Sequence, residues 1–231
     1  MQNNYVKSAS EIVVMKRAAA ITDDVFDSVL AAFREGVTEK EIAALIGREF
    51  AERGTEGTSF DTIVAFGAGG AEPHHVPTDA RLEKGMFVTV DMGCVVEGLC
   101  SDFTRTVAFG EPDAEMKAAY DSVYRARKAG VASVGDGVPC KDVDAAARGT
   151  LAKDGYAEYF VHGTGHGVGS LIHEPPTLNA TSEDVLRCGQ VVTVEPGVYF
   201  PDKFGVRIED MVAVGENRPF SRHSTELIVI G

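Results

Sequence analysis

Positive charge is scarce in this sequence. Twenty-two Lys and Arg face 35 Asp and Glu, a net charge of −13, and such a chain repels nucleic acid and anionic membrane surfaces. No nucleic-acid or membrane partner is expected. Long apolar runs are missing as well: nothing approaches the roughly 18 residues of a membrane span, and no basic segment followed by an apolar stretch opens the chain. The four cysteines, Cys94, Cys100, Cys140 and Cys188, include no Cys-x-x-Cys pair, which argues against a disulfide framework and against a cysteine-based zinc site. Reduced thiols fit a cytoplasmic protein. No long low-complexity linker interrupts the 231 residues, so one domain over 1–231 is expected. With 44% hydrophobic and 25% charged residues the chain can bury a core, and its surplus of carboxylates remains to be explained.

The chain echoes itself. GMFVTVDMG at 85–93 and GQVVTVEPG at 189–197 share Gly, Val, Thr, Val and Gly in register, which sets Asp91 opposite Glu195. Each segment closes a similar run of elements. SEIVVMKRAAAITDDVFDSVLAAFREG has helical period, and Thr38 begins TEKE, a capping box that opens a second helix closed by Gly54. In the second half DAEMKAAYDSVYRARKAGVASV reads as a helix. GVPCKDVDAAARGTLAKDG at 137–155 matches GVTEKEIAALIGREFAERG at 36–54 through Gly-Val, Lys, Ala, Ala and Gly. The order of elements recurs along with the residues, which implies an α+β chain of two αα-plus-hairpin halves, about 8–110 and 113–231. Their strands are expected to combine into one sheet with helices on its outer face.

Four carboxylates fall on those strands. MFVTVDMG and SDFTRTVAF alternate and are β-branched, with a turn expected around Val96-Glu97-Gly98. Asp91 and Asp102 are then expected nearly opposite each other on one face, with Cβ atoms about 5 Å apart. QVVTVEPGVYF and GVRIEDMVAV repeat the pattern around Pro201-Asp202-Lys203 and set Glu195 against Glu209. Opposed like charges destabilise a strand pair unless solvent screens them or a cation compensates. For one pair the two readings stand level. Two pairs at matching positions, beside the apolar Val90, Val194 and Ile208, favour compensation by a pair of divalent metal ions on hard oxygen ligands.

HGTGHGVG, residues 162–169, sets two histidines four apart. That spacing could bind a metal from one face of a helix, but four glycines in eight residues argue against a helix. With Asp91, Asp102, Glu195 in VEPG and Glu209 in RIED, His166 of this stretch completes an array that resembles the pita-bread metallopeptidases: methionine aminopeptidase, Xaa-Pro aminopeptidase and Xaa-Pro dipeptidase (prolidase). The resemblance runs from about residue 7 to the C-terminus, with all five ligand motifs in family order. HGTGHGVG, GVRIED and the Pro73-His74 step are more similar to the Xaa-Pro branch than to methionine aminopeptidase, whose loop usually reads Cys-Gly-His-Gly-Ile-Gly.

The resemblance implies a curved antiparallel sheet in a pseudo-twofold fold, two divalent metal ions, and removal of the N-terminal residue from peptides with a free amino terminus. Asp91 would chelate one ion, Asp102 and Glu209 would bridge the two, and His166 with Glu195 would hold the other. His74, His162 and His173 would line the substrate side, where glycines would let the backbone approach metal and substrate. His74 is preferred to His75 because it follows the proline directly, and His223 is left structural. A metal-bridging hydroxide would attack the scissile carbonyl, with Glu195 as general base. One of the three imidazoles would donate to the oxyanion. Arg207, on the face of Glu209, could pair with a carboxylate or reach a substrate carboxylate. Manganese or cobalt suits the ligand set best, with zinc or iron also compatible.

Xaa-Pro peptidases commonly carry an additional N-terminal domain. This chain opens with MQNNYVKSASEI, where the catalytic domain would begin, so that domain is read as absent and the strictness of proline selection and a possible homodimer stay open. Methionine aminopeptidase is the alternative enzyme, favoured by length and disfavoured by His162 and Thr164. A pita-bread module that binds peptides or proteins without catalysis is the alternative of another class. Such a module would be expected to lose metal ligands, and this sequence keeps all five.

Overall fold

The computed structural model describes residues 5–216 and 218–231. Residues 1–4, with which the expected domain opens, and Asn217 lie outside the described residues. Helix α1 (Ala9–Ala32) starts at a capping box in which the Ser8 hydroxyl accepts from the Glu11 amide and the Glu11 carboxylate accepts from Ser8. Its buried stripe of Met15, Ala18, Thr22, Val25, Phe26 and Val29 recurs every three or four residues. Helix α2 (Glu39–Glu52) opens at the expected Thr38-Glu41 capping box and gives way at Gly54, where φ is +73°. Helices α3 (Ala114–Ser133), capped by Asp113, and α4 (Cys140–Lys153) occupy the equivalent places in the second half.

Strands β1 (Ile63–Phe66), β2 (Met86–Met92), β3 (Val95–Val96), β4 (Leu99–Cys100) and β5 (Phe103–Phe109) follow α2. After α4 come β6 (Gly165–Gly167), β7 (Glu174–Leu178), β8 (Val191–Val194), β9 (Gly197–Phe200), β10 (Phe204–Arg207), β11 (Asp210–Ala213) and β12 (Val229–Ile230). One four-stranded sheet has the order β1-β2-β5-β12 and the other β11-β8-β6-β7, with β3-β4 and β9-β10 as ribbons. Among the described residues only the short β5–β12 contact is parallel. The β2–β5 ladder keeps its register through β3–β4, and β8–β11 keeps its register through β9–β10. Each half thus centres on a single strand, β1 or β6, beside a long hairpin interrupted near its middle.

The first hairpin corrects one expectation. Asp91 pairs with Thr104, not with Asp102, so the two aspartates share a face but stand two residues out of register. The cause is the turn: Glu97 and Gly98 both have positive φ, 48° and 72°, the signature of a two-residue type I′ loop whose axis falls between them. In the second hairpin the common register on both sides of the break sets Glu195 against Glu209, as expected.

The helices bury their apolar stripes on the outer side of the strands. Val25, Phe26, Ile42, Ile46 and Phe50 pack on Val64, Val88 and Val90, and Ala119, Val123, Ala147 and Leu151 pack with Val198 and Val206. Each large apolar side chain buried this way contributes about 1.5–3 kcal/mol. Phe26, fully buried with its ring 5.0 Å from that of Phe103, is where truncation to Ala would cost about 3–5 kcal/mol. This outer core leaves the inner side of the strands to polar groups. All four cysteines are free thiols, and among the described residues no helix is long and apolar enough to cross a membrane.

Candidate metal centre

Five ligand-type side chains reach one cavity of about 710 Å³ from five places in the fold. Asp91 comes from the end of β2, Asp102 from the break before β5, His166 from the middle of β6, Glu195 from just past β8, and Glu209 from the break between β10 and β11. Strand alternation and the interrupted hairpins place them there. At the breaks the ladder is thin, and Glu209 is held by its amide on the Thr104 carbonyl at 3.1 Å and by the Thr104 hydroxyl on Oε2 at 2.6 Å.

Asp102, His166 and Glu209 bring ligand atoms within 4.8 Å of one another. His166 Nε2 lies 3.3 Å from Glu195 Oε1 and 3.6 Å from Asp102 Oδ2. Glu195 Oε1 also accepts from the Thr193 hydroxyl at 3.1 Å. Asp91 is turned aside: Arg207 Nη2 donates to its Oδ2 at 2.7 Å, and its Oδ1 is buried with no hydrogen-bond partner.

The electrostatics of the five side chains call for a cation. Burial, reinforced by Asp91 and Glu195, holds the Asp102 carboxyl well above the ordinary carboxylate range, and burial with Asp102 and Glu195 does the same to Glu209. Burial pushes Glu195 up to about 7, with Arg207 opposing. Mutually repelling carboxyls around an orphaned buried oxygen are what a divalent cation relieves. The donor set fits such ions: hard oxygens and one imidazole.

The glycines around His166 serve the strands. A Cβ on Gly165 would lie 2.0 Å from the Thr193 carbonyl oxygen, and one on Gly167 would lie 2.5 Å from that of Pro175. Gly163 and Gly165 line the cavity, and the steric demand on Gly165 and Gly167 comes from the neighbouring strands. These last two allow β6 to sit tightly against β8 and β7, and neither has a positive φ.

His74, His162 and His173 all line the cavity. His173 sits with its ring 4.3 Å from that of His166. His162 Nε2 meets the Tyr199 hydroxyl at 2.7 Å, and that hydroxyl accepts from Arg207 Nη1 at 2.9 Å, so a hydrogen-bonded chain links His162 to Asp91. Burial and the Arg207 guanidinium push His162 down to about 4, which keeps it neutral, and burial lowers His166 and His173 as well. His75 also lines the cavity, but its Nε2 is engaged by Glu39 at 2.9 Å. His223 is bonded to the Asp23 carbonyl and stacked edge-on against Phe26. Of the two roles open to Arg207, the geometry realises the ion pair.

Reading the sequence missed Tyr199 and the groups that hold the histidine segments. Arg148 of α4, paired with Asp144, donates to the His162 carbonyl at 2.7 Å, while Asp144 accepts from the Thr164 amide and hydroxyl. Lys7 forms a buried ion pair with Glu174, the neighbour of His173. The only local signal for these was a charged residue in phase with a buried helical stripe, as Asp144 is with Cys140, Ala147 and Leu151.

Comparison with known proteins gives the family of the chain. Residues 13–216 match the model of metallopeptidase family M24. The chain is 41% identical over 227 residues to the uncharacterized peptidase YqhT of Bacillus subtilis, covering 97% of this chain and 64% of that one. It superposes with a TM-score of 0.96 on an Xaa-Pro dipeptidase from Bacillus anthracis at 41% identity, over 98% of this chain and 64% of that one. It also superposes with a TM-score of 0.96 on an X-Pro aminopeptidase from Thermotoga maritima at 37% identity, over 99% and 66%. The chain therefore spans just under two thirds of the length of these proteins. The fold is the pita-bread fold of the M24 prolidases, and on a family match that covers most of its length the chain belongs to metallopeptidase family M24.

Proposed function

We propose that the chain is the catalytic unit of a two-metal exopeptidase that releases the N-terminal residue of peptides at Xaa-Pro bonds. The observation that carries this reading is the meeting of Asp91, Asp102, His166, Glu195 and Glu209 in one cavity that His74, His162 and His173 also line. Those five residues would hold the two ions, manganese or cobalt by preference. When bound, the ions supply Lewis-acid polarisation of the scissile carbonyl and make water acidic enough to ionise near neutral pH.

The protein side of the reaction follows from position and protonation. Glu195 has Oε1 against Thr193 and His166, which leaves Oε2 to take the proton of the attacking water and return it to the leaving nitrogen. His162, neutral and held between the Gly163 carbonyl and the Tyr199 hydroxyl, shapes the substrate wall, and His74 and His173, on the other walls, are placed to meet the substrate carbonyl or the oxyanion that replaces it. The acidic cluster attracts a free amino terminus. A proline nitrogen has no N–H, and nothing in this scheme needs one.

A peptide panel tests the reading. Manganese-loaded protein should release the first residue from Xaa-Pro and Xaa-Pro-Yaa peptides, and N-acetylated versions should be spared. Cleavage of Met-Ala-Ser with no Xaa-Pro cleavage would transfer the assignment to methionine aminopeptidase. No cleavage of any peptide by metallated protein would leave a binding module.

A further inference from the structure

We infer that Glu39 is a positioning residue for the His74 wall of the cavity; the inference rests on the peptidase reading for its kinetic consequence, but not for its structural one. Glu39 is the first residue of α2 and lies in phase with Ile42, Ile46 and Phe50, so its side chain is carried on the buried stripe and is fully buried. Carboxylates almost never sit there without partners. This one has four. Its Oε1 accepts from the Phe66 amide at 2.8 Å; its Oε2 accepts from the Thr78 amide and the Thr78 hydroxyl, each at 2.7 Å, and meets His75 Nε2 at 2.9 Å.

Those partners bracket one segment. Phe66 closes β1, Thr78 follows Pro77, and His75 lies between them, so a single carboxylate holds both ends and the interior of the 66–78 segment that carries Pro73, His74, Val76 and Pro77 into the cavity. Gly69 completes the fit: a Cβ there would come within 3.0 Å of the His75 ring and 3.3 Å of Glu39 Oε1. The N-terminus of α2 adds its own partial positive charge beside the carboxylate. His74 itself is exposed, and among the described residues its ring has no hydrogen-bond partner. Its placement comes from the backbone, and the backbone is held by Glu39.

A misplacement on the order of 1 Å of a group that meets the reacting centre costs about 10²-fold in rate. Glu39→Gln keeps the size but turns an NH₂ group toward N–H donors, and should free the segment. The test has two readouts on the full chain loaded with manganese. Amide hydrogen exchange should rise in 66–78 and stay unchanged in 160–175, whether or not any peptide is cleaved. Against Xaa-Pro-Yaa peptides, kcat/KM should fall about 10- to 100-fold, and the double variant with His74→Ala should lose no more than His74→Ala alone, because both act through one imidazole. Should Glu39→Gln fail to fold, Thr78→Val, which removes one of the four bonds, must show the same local exchange and the same non-additivity. Unchanged exchange in 66–78, or losses that add in the double variant, would overturn the inference. Changed exchange with a wild type that cleaves nothing would instead count against the peptidase reading alone.

Discussion

Arg207 donates from Nη2 to Oδ2 of Asp91 at 2.7 Å, and the other oxygen of that carboxylate, Oδ1, is buried without a partner. One oxygen is thereby held, and in the proposed two-metal reading the other is kept for a cation. The same guanidinium holds the Tyr199 hydroxyl, and through it His162. Arg207→Met should therefore weaken two functions together. Manganese affinity and kcat/KM should each fall about 10- to 100-fold, the usual cost of removing a group that orients a ligand. Competition with a chelating dye, beside steady-state kinetics, checks both.

The two histidines of HGTGHGVG should separate by metal content. His166 Nε2 faces Asp102 and Glu195, whereas His162 Nε2 is spent on Tyr199. His166→Ala should lower bound metal, and His162→Ala should keep it and lose turnover. Elemental analysis by mass spectrometry decides, and equal metal loss in both variants would contradict the assignment.

Much of this site was legible because local periodicity encodes it. The Thr38-Glu41 capping box, the alternation of MFVTVDMG and the repeated VTVD and VTVE segments required only neighbours in sequence. The register of Asp91 against Asp102 was missed because it depends on whether the turn holds two residues or three, which composition at Val96-Glu97-Gly98 does not decide. Tyr199, Lys7 and Glu39 escaped for another reason. Their partners lie 37, 167 and 27 to 39 residues away, and no local pattern records such pairings. Glu39 was visible in TEKE, but as part of a helix start; its phase with Ile42, Ile46 and Phe50 was the sign that it points inward.

The glycines give a stability test. Gly165→Ala drives a Cβ to 2.0 Å from the Thr193 backbone oxygen, a clash that no rotamer can relieve. It should cost at least about 3 kcal/mol, or on the order of 10 °C in Tm for a chain of this size. Gly149→Ala on α4, where nothing lies within 4 Å, should leave Tm unchanged or raise it slightly. Thermal melts of the two variants make the comparison.

Stability of the chelated protein should depend on pH with a definite sign. Burial keeps Asp102, Glu195 and Glu209 protonated in the folded chain at pH values where the unfolded chain has released those protons. The folded state then binds more protons, so stability falls as pH rises from 4.5, the ordinary Glu value, through about 7 for Glu195, and the raised Asp102 and Glu209 act in the same direction. His162, depressed to about 4, acts in the opposite sense only below its ordinary value of 6.5. As pH rises from about 6.5 through about 7 the Tm of the chelated protein should drop, and manganese should remove the drop. A flat or rising Tm in chelator would contradict this electrostatic picture.

The most direct test is a manganese titration of chelated protein while release of the first residue from an Xaa-Pro-Yaa peptide is followed. The two-ion account predicts no release without metal and a rate that climbs to its limit as two ions bind per chain. Release that persists in chelator, or metal that binds without any release, would contradict it.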